Sequence, residues 1–138
     1  MNSEKIMVVD GNSILNRAFY GLSKNTMLST SEGIQTNAVF GFINILTKFL
    51  AEENPQYLCV AFDMKQPTFR HLEYDKYKAQ RKGMPEELAV QVPIIKQVLD
   101  AMNIKRVEIP GYEADDILGS ISLCAEQKGM EVILLTGD

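Results

Sequence analysis

Four short apolar runs in this sequence each end in a carboxylate or are followed by one within four residues, and that pattern narrows the possible folds more than any other feature. Lys5–Asp10 (KIMVVD) and Tyr57–Asp63 (YLCVAFD) read as buried strands stopped by an aspartate. Lys105–Ile109 (KRVEI) alternates like a half-buried strand before Pro110-Gly111, and Glu131–Thr136 (EVILLT) is a fourth run, closed by Gly137-Asp138. Helical patterns lie between them. Val39, Phe42, Ile43, Leu46, Phe49 and Leu50 share one helix face. Pro85 with Glu86 and Glu87 opens a second helix, continued by Leu88, Val92, Ile95, Val98 and Leu99, with a kink expected at Pro93. Glu113–Lys128 reads as a third, with Ile117, Leu118 and Ile121 inward and Gly129 as its stop. Strands alternating with helices imply right-handed crossovers, so the expected class is α/β, a mostly parallel central sheet with helices on both faces.

Composition excludes several alternatives. With 138 residues, 46% of them hydrophobic, the chain suits one packed domain rather than a disordered or multidomain chain. No apolar run approaches the roughly 20 residues of a membrane span, and no leader pattern opens the sequence, so a cytoplasmic location without a membrane partner is expected. Cys59 and Cys124 are far apart in apolar company and read as small core residues rather than a disulfide or metal pair.

In an open parallel sheet the active site lies beyond the carboxyl ends of the strands. Asp10, Asp63, the group Glu113, Asp115 and Asp116, and Asp138 follow the four strands in turn, so all reach one edge. Six ionised carboxylates crowded within a few ångströms repel one another unless a cation intervenes or their pKa values rise. Mg²⁺ or Mn²⁺, which take oxygen ligands, answer that need, and two such ions can clamp the oxygens of a phosphoryl transfer. Each residue also has a structural reading: Asp10-Gly11 as a turn, Asp63 as a cap, the acidic group as the favourable charge of a helix N-terminus. The i, i+3 spacing of Glu113 and Asp116 places both on one helix face.

Met64–Met84 (MKQPTFRHLEYDKYKAQRKGM) lacks clear periodicity, and a loop of that length in a compact domain is usually functional. From Lys65 to Lys82 it carries six Lys or Arg against two acids, with Phe69, Tyr74 and Tyr77 interleaved and the one histidine, His71, inside it. Cations for phosphates and flat rings for bases are what single-stranded nucleic acid binding uses; the alternative is a solvated loop. The formal charge of -4 is therefore a sum of +4 here and -8 elsewhere, and does not exclude a nucleic-acid partner.

VVDGNSILNRAFY, FDMKQPTFRHLEYDKYKAQR, PGYEADDILGS and LLTGD resemble, in order and spacing, the motifs of the N-terminal 5′-nuclease domains of bacterial DNA polymerase I, within the flap endonuclease superfamily. The resemblance runs from Lys5 to Asp138. It implies a PIN-like, Rossmann-like fold, Mg²⁺- or Mn²⁺-dependent hydrolysis of DNA 5′ flaps and 5′ ends in replication and repair, and polymerase domains in the parent chain. Asp10, Asp63, Glu113, Asp115, Asp116 and Asp138 match the family's metal carboxylates. Lys78 and Arg81 match its YK..R motif, which contacts the scissile phosphate. Arg70, Tyr77 and Arg17 fall where DNA contacts are expected, and residues 64–84 where a basic helical arch admits the unpaired 5′ end. The family continues past TGD with another aspartate, more carboxylates and a helix-hairpin-helix clamp. Residues 1–138 thus correspond to the N-terminal part of the domain, with the last strand, ligands of the second of two metal ions and the duplex clamp beyond them. An inactive module binding one ion and DNA weakly is the alternative expectation. A phosphatase fits less well, because Asn12 stands where a second aspartate is needed; a phosphoacceptor receiver leaves residues 64–84 unexplained.

Overall fold

The structure, a computed structural model of the chain, describes residues 4–22, 33, 35–64 and 84–137. In chain order these form β1 (Lys5–Asp10), α1 (Gly11–Leu22), α2 (Asn37–Glu53), β2 (Tyr57–Ala61), α3 (Glu86–Ala89), α4 (Gln91–Ala101), β3 (Lys105–Val107), α5 (Ala114–Gln127) and β4 (Glu131–Leu135). The strands make one parallel sheet in the order β3-β2-β1-β4, as the alternation of elements predicts. Asp10 pairs with Ala61, and Val9 lies opposite both Val60 and Leu135. The carboxyl ends of the three longest strands are therefore level, and the chain changes direction across the sheet beside β1, at the crevice where such sheets bind ligands.

Alternation along β1 builds two cores. Met7 and Val9 join Val60, Phe62 and Leu135 under α1, α2 and α4, where Ile14, Leu15, Phe42, Leu46, Ile95 and Leu99 fill the interior. Val8 faces the other way and packs with Cys59 and Ala61 against Ala114, Ile117 and Leu118 of α5. Burial on both faces is why these strands read as continuous apolar runs. β2 and β3 end earlier than their apolar runs, at Ala61 and Val107, although the Phe62 N–H still donates to the Val107 carbonyl at 3.0 Å. Gly129, with φ of 78°, follows α5 as its stop.

Two expectations are corrected. The helix after Pro85 does not kink at Pro93; it breaks at Val90, so that Pro93 falls in the first turn of α4, where its missing N–H costs nothing. Cys59 is buried, but Cys124 is exposed. The buried stripe of α5 runs through Ala114, Ile117, Leu118 and Ala125, and Cys124 lies to one side of it.

Gln91 occupies the apolar stripe of α4 yet is fully buried. Its Oε1 accepts the Ala38 and Val39 N–H groups at 2.8 and 3.1 Å, and its Nε2 donates to Asn37 Oδ1 at 2.9 Å and the Glu87 carbonyl at 3.0 Å. Thr36 supplies no side-chain cap to α2, so a glutamine from another helix caps it instead. No helix among the described residues is long and apolar enough to cross a membrane.

Candidate functional site

Asp10 ends β1 and caps α1, accepting the Ser13 N–H on Oδ1 at 3.2 Å. It is 5% exposed. Burial pushes its carboxyl up to about 6; the Ser13 N–H opposes the rise, while the charge and a hydrogen bond of Asp115 and the charge of Asp63 add to it. The negative charges of Asp115 and Asp63 are thus both felt at the Asp10 carboxyl, and a positive charge placed there would relieve the repulsion.

Asp63, two residues past β2, is fixed at both ends. Its N–H donates to Asn12 Oδ1 at 2.7 Å, and its Oδ1 accepts the Ala114 N–H, the first of α5, at 2.6 Å. Glu113 is the N-cap of α5 and is buried. Asp116 Oδ2 accepts the Glu113 N–H at 3.0 Å, and the Glu113 side chain returns to the Asp116 backbone, a reciprocal capping box. The pair therefore does not stand side by side on one helix face, because Glu113 is in extended conformation before the helix starts.

The structure thus brings Asp10, Asp63 and Asp115 together and sets Glu113 with Asp116 in the adjoining turn, while Asp138 lies outside the described residues. Among the described residues, no three acidic, histidine or cysteine side chains are placed so that they could together hold a metal ion. Backbone N–H groups at the starts of α1 and α5 each take one oxygen of Asp10, Asp63 and Asp116. The side chains gathered at this edge offer oxygen donors, the ligand type that hard divalent cations take.

Packing holds the strand ends close. A side chain on Gly11 would begin 2.6 to 2.8 Å from three ring atoms of Phe62, so glycine is required by the approach of α1 to β2 rather than by a turn. Phe62 stacks on Phe42 at 6.5 Å, and Lys96 Nζ lies 5.2 Å from its ring centre. Lys96 pairs with Glu108, which also binds Arg106 Nη1 at 2.6 Å, and Arg106 Nε reaches Asp100 at 2.8 Å. Of the expected DNA contacts, Arg17 is exposed on α1 beside Gly137, at the same edge. Arg70, Tyr77, Lys78 and Arg81 lie outside the described residues, as does the proposed arch apart from its ends. Sequence reasoning missed Asn12, Ser13 and Gln91; polar side chains immediately after the first carboxylate, and one on an apolar stripe, were the available signals.

Residues 5–138 match the family model described as 5′-3′ exonuclease, N-terminal resolvase-like domain. DNA polymerase I of Caldicellulosiruptor bescii is 46% identical over 134 residues, which cover 97% of this chain and 15% of that protein. DNA polymerase I of Bacillus subtilis is 46% identical over 135 residues, 98% of this chain and again 15% of the relative. The chain thus spans about 15% of the length of the curated relatives it matches. Among solved structures, T5 5′-exonuclease with bound divalent zinc ions superposes with a TM-score of 0.71 at 21% identity, covering 98% of this chain and 49% of that one. The bacteriophage T5 flap endonuclease in a pseudo-enzyme-product complex with DNA and metal ions gives 0.70 at 20% identity, with coverages of 98% and 49%. Those likenesses bear on the fold, the same parallel α/β arrangement, and the sequence match over residues 5–138 establishes that the chain belongs to the 5′-3′ exonuclease N-terminal, resolvase-like domain family.

Proposed function

We propose that this chain is the carboxylate-bearing part of a divalent-metal-dependent 5′-3′ exonuclease and flap endonuclease that hydrolyses DNA phosphodiester bonds, working in replication and repair within a DNA polymerase I. The observation that carries the reading is the placement of Asp10 and Asp63 at neighbouring strand ends, with Asp63 bonded to the first N–H of the helix whose first turn carries Asp115. Relatives that are DNA polymerase I support the polymerase partner, and the metal- and DNA-bound neighbours support the ligands.

Asp10, Asp63 and Asp115 would hold Mg²⁺ or Mn²⁺, with Glu113, Asp116 and Asp138 completing two positions in the longer domain. Such ions, when bound, would supply water activation and charge stabilisation to phosphodiester hydrolysis. The protein's own residues do the rest. Asp10 gives up its proton before it can ligate. Asp63 keeps one oxygen on the Ala114 N–H and offers the other. Lys78 and Arg81 are assigned to the scissile phosphate, where fixed cations stabilise developing negative charge, and Arg17, Arg70 and Tyr77 to the flanking strand.

A second reading, a module that binds one ion and DNA weakly without cleaving it, is favoured by the lack of a three-ligand set among the described residues. Incubation of a labelled 5′-flap duplex with the chain and Mg²⁺ or Mn²⁺ separates the two. Cleavage abolished by EDTA and by Asp115→Ala is expected. Cleavage undiminished in Asp115→Ala overturns the assignment, and binding of Mn²⁺ and flap DNA without any cleavage selects the second reading.

A further inference from the structure

The carboxylates are held in register by uncharged side chains, and two of these come from one turn of helix. Asp10 is the N-cap of α1, so Gly11, Asn12 and Ser13 are its first three residues. Asn12 reaches across to β2, where its Oδ1 accepts the Asp63 N–H at 2.7 Å. Ser13 reaches the opposite neighbour, β4: its Oγ accepts the Gly137 N–H at 2.9 Å and lies 3.1 Å from Thr136 Oγ1. It also returns to its own strand, with Oγ 3.3 Å from the Asp10 carbonyl and its N–H on Asp10 Oδ1. β1 stands between β2 and β4, and consecutive helical side chains diverge by about 100°. Adjacent residues can therefore tie the segments leaving both flanking strands.

We propose that Asn12 and Ser13 are positioning residues of the metal site: Asn12 fixes Asp63 relative to Asp10, and Ser13 fixes Thr136–Gly137, the segment leading to Asp138. This rests on the metal-site reading above. The residue types fit the task. An asparagine oxygen accepts the Asp63 N–H without adding an anion beside carboxyls that already repel. A serine hydroxyl is short enough for Gly137 to pass over it, and the fit is close: a side chain on Gly137 would begin 2.6 Å from the Ser13 carbonyl oxygen. Side chains that orient ligands commonly change metal affinity by about 10- to 100-fold when removed.

The test is Mn²⁺ titration of the 138-residue chain, read by the resonance signal of free Mn²⁺, with thermal unfolding in EDTA measured in parallel. Asn12→Ala and Ser13→Ala are each expected to weaken Mn²⁺ binding by about 10-fold or more. Ser13→Thr keeps the hydroxyl and Asn12→Asp keeps the acceptor, and both are expected to stay within about threefold of wild type or bind more tightly. These two also keep the test open if an alanine variant does not fold. Bonds serving only the fold would lower the EDTA melting temperature and leave Mn²⁺ affinity unchanged, and that result overturns the proposal. Equal loss in the conservative pair overturns it too. A wild-type chain that binds no Mn²⁺ overturns the metal reading itself and this inference with it, whereas wild-type binding unchanged in the alanine variants refutes positioning alone.

Discussion

Replacing Gly11 with alanine adds one methyl group between the first two carboxylate-bearing strand ends. The new carbon would sit 2.6, 2.7 and 2.8 Å from Phe62 Cε1, Cζ and Cδ1. Carbon atoms in contact prefer about 3.5 to 4.0 Å, so the ring must move by about 1 Å. It has nowhere to go, being fully buried, stacked on Phe42 and covered by Lys96. Overpacking of this kind costs about 1 to 3 kcal/mol, and alanine regains up to about 1 kcal/mol of helix propensity. Gly11→Ala should therefore destabilise by about 1 to 2 kcal/mol in urea unfolding followed by circular dichroism in EDTA. Phe62→Leu alone leaves a cavity and also destabilises. Combined, however, the smaller side chain makes room for the methyl, and the double variant should be more stable than the sum of the two by about 1 kcal/mol. Additive effects, or a Gly11→Ala variant as stable as wild type, would show that the glycine serves some purpose other than close approach.

Gln91→Leu, nearly isosteric, strands the buried Ala38 N–H and Asn37 Oδ1 and should cost about 3 to 5 kcal/mol in the same assay, whereas loss of less than about 1 kcal/mol would deny its role as the cap of α2. Asp10 has its carboxyl pushed up to about 6 by burial and its acidic neighbours, so the folded, metal-free chain holds that proton more tightly than the unfolded chain. Its contribution is full below about pH 4 and is lost as pH rises through about 6, by up to about 3 kcal/mol. Wild type minus Asp10→Asn, measured across that range in EDTA, should show the slope, and a flat difference would contradict it. Asp115→Asn removes the charge that presses on Asp10; metal-free stability at neutral pH should hold or rise while Mn²⁺ affinity falls about 10-fold, and unchanged affinity would remove Asp115 from the site.

The two central strands were legible because they are buried on both faces, so KIMVVD and YLCVA carry no alternation; EVILL reads the same way although it lies at the sheet edge and exposes Leu134. The edge bearing the carboxylates followed from parallel topology alone. What the sequence hid was who holds them. Asn12 and Ser13 look like ordinary first-turn residues, and their partners lie 51 and 124 positions away. Gln91 resembled a polar interruption of an apolar stripe because its four partners are on α2 and α3, which no local pattern reveals. Pro93 misled for a related reason. Its geometry disfavours a continuous helix, but a kink and a restart look alike in the local pattern; here the chain restarts at Gln91.

Structural and functional readings of the acidic residues turn out not to compete. On the proposed reading, like charges come together before any ion arrives, and the rise of the Asp10 carboxyl, owed first to burial and then to Asp115 and Asp63, reflects that arrangement. Here the helix N-termini of α1 and α5 offset part of that cost, because each presents N–H groups and the positive end of a helix dipole to the same carboxylates. Capping by Asp63 uses one oxygen, so if the second ligates a cation as proposed, the bond that starts α5 would also aim the ligand. Asp115 differs, since it is exposed and its charge bears on Asp10. Such a division gives the site residues that cap and aim alongside one whose charge alone is felt, and it is why substitution at Asp63 would mix folding with binding while substitution at Asp115 isolates the charge.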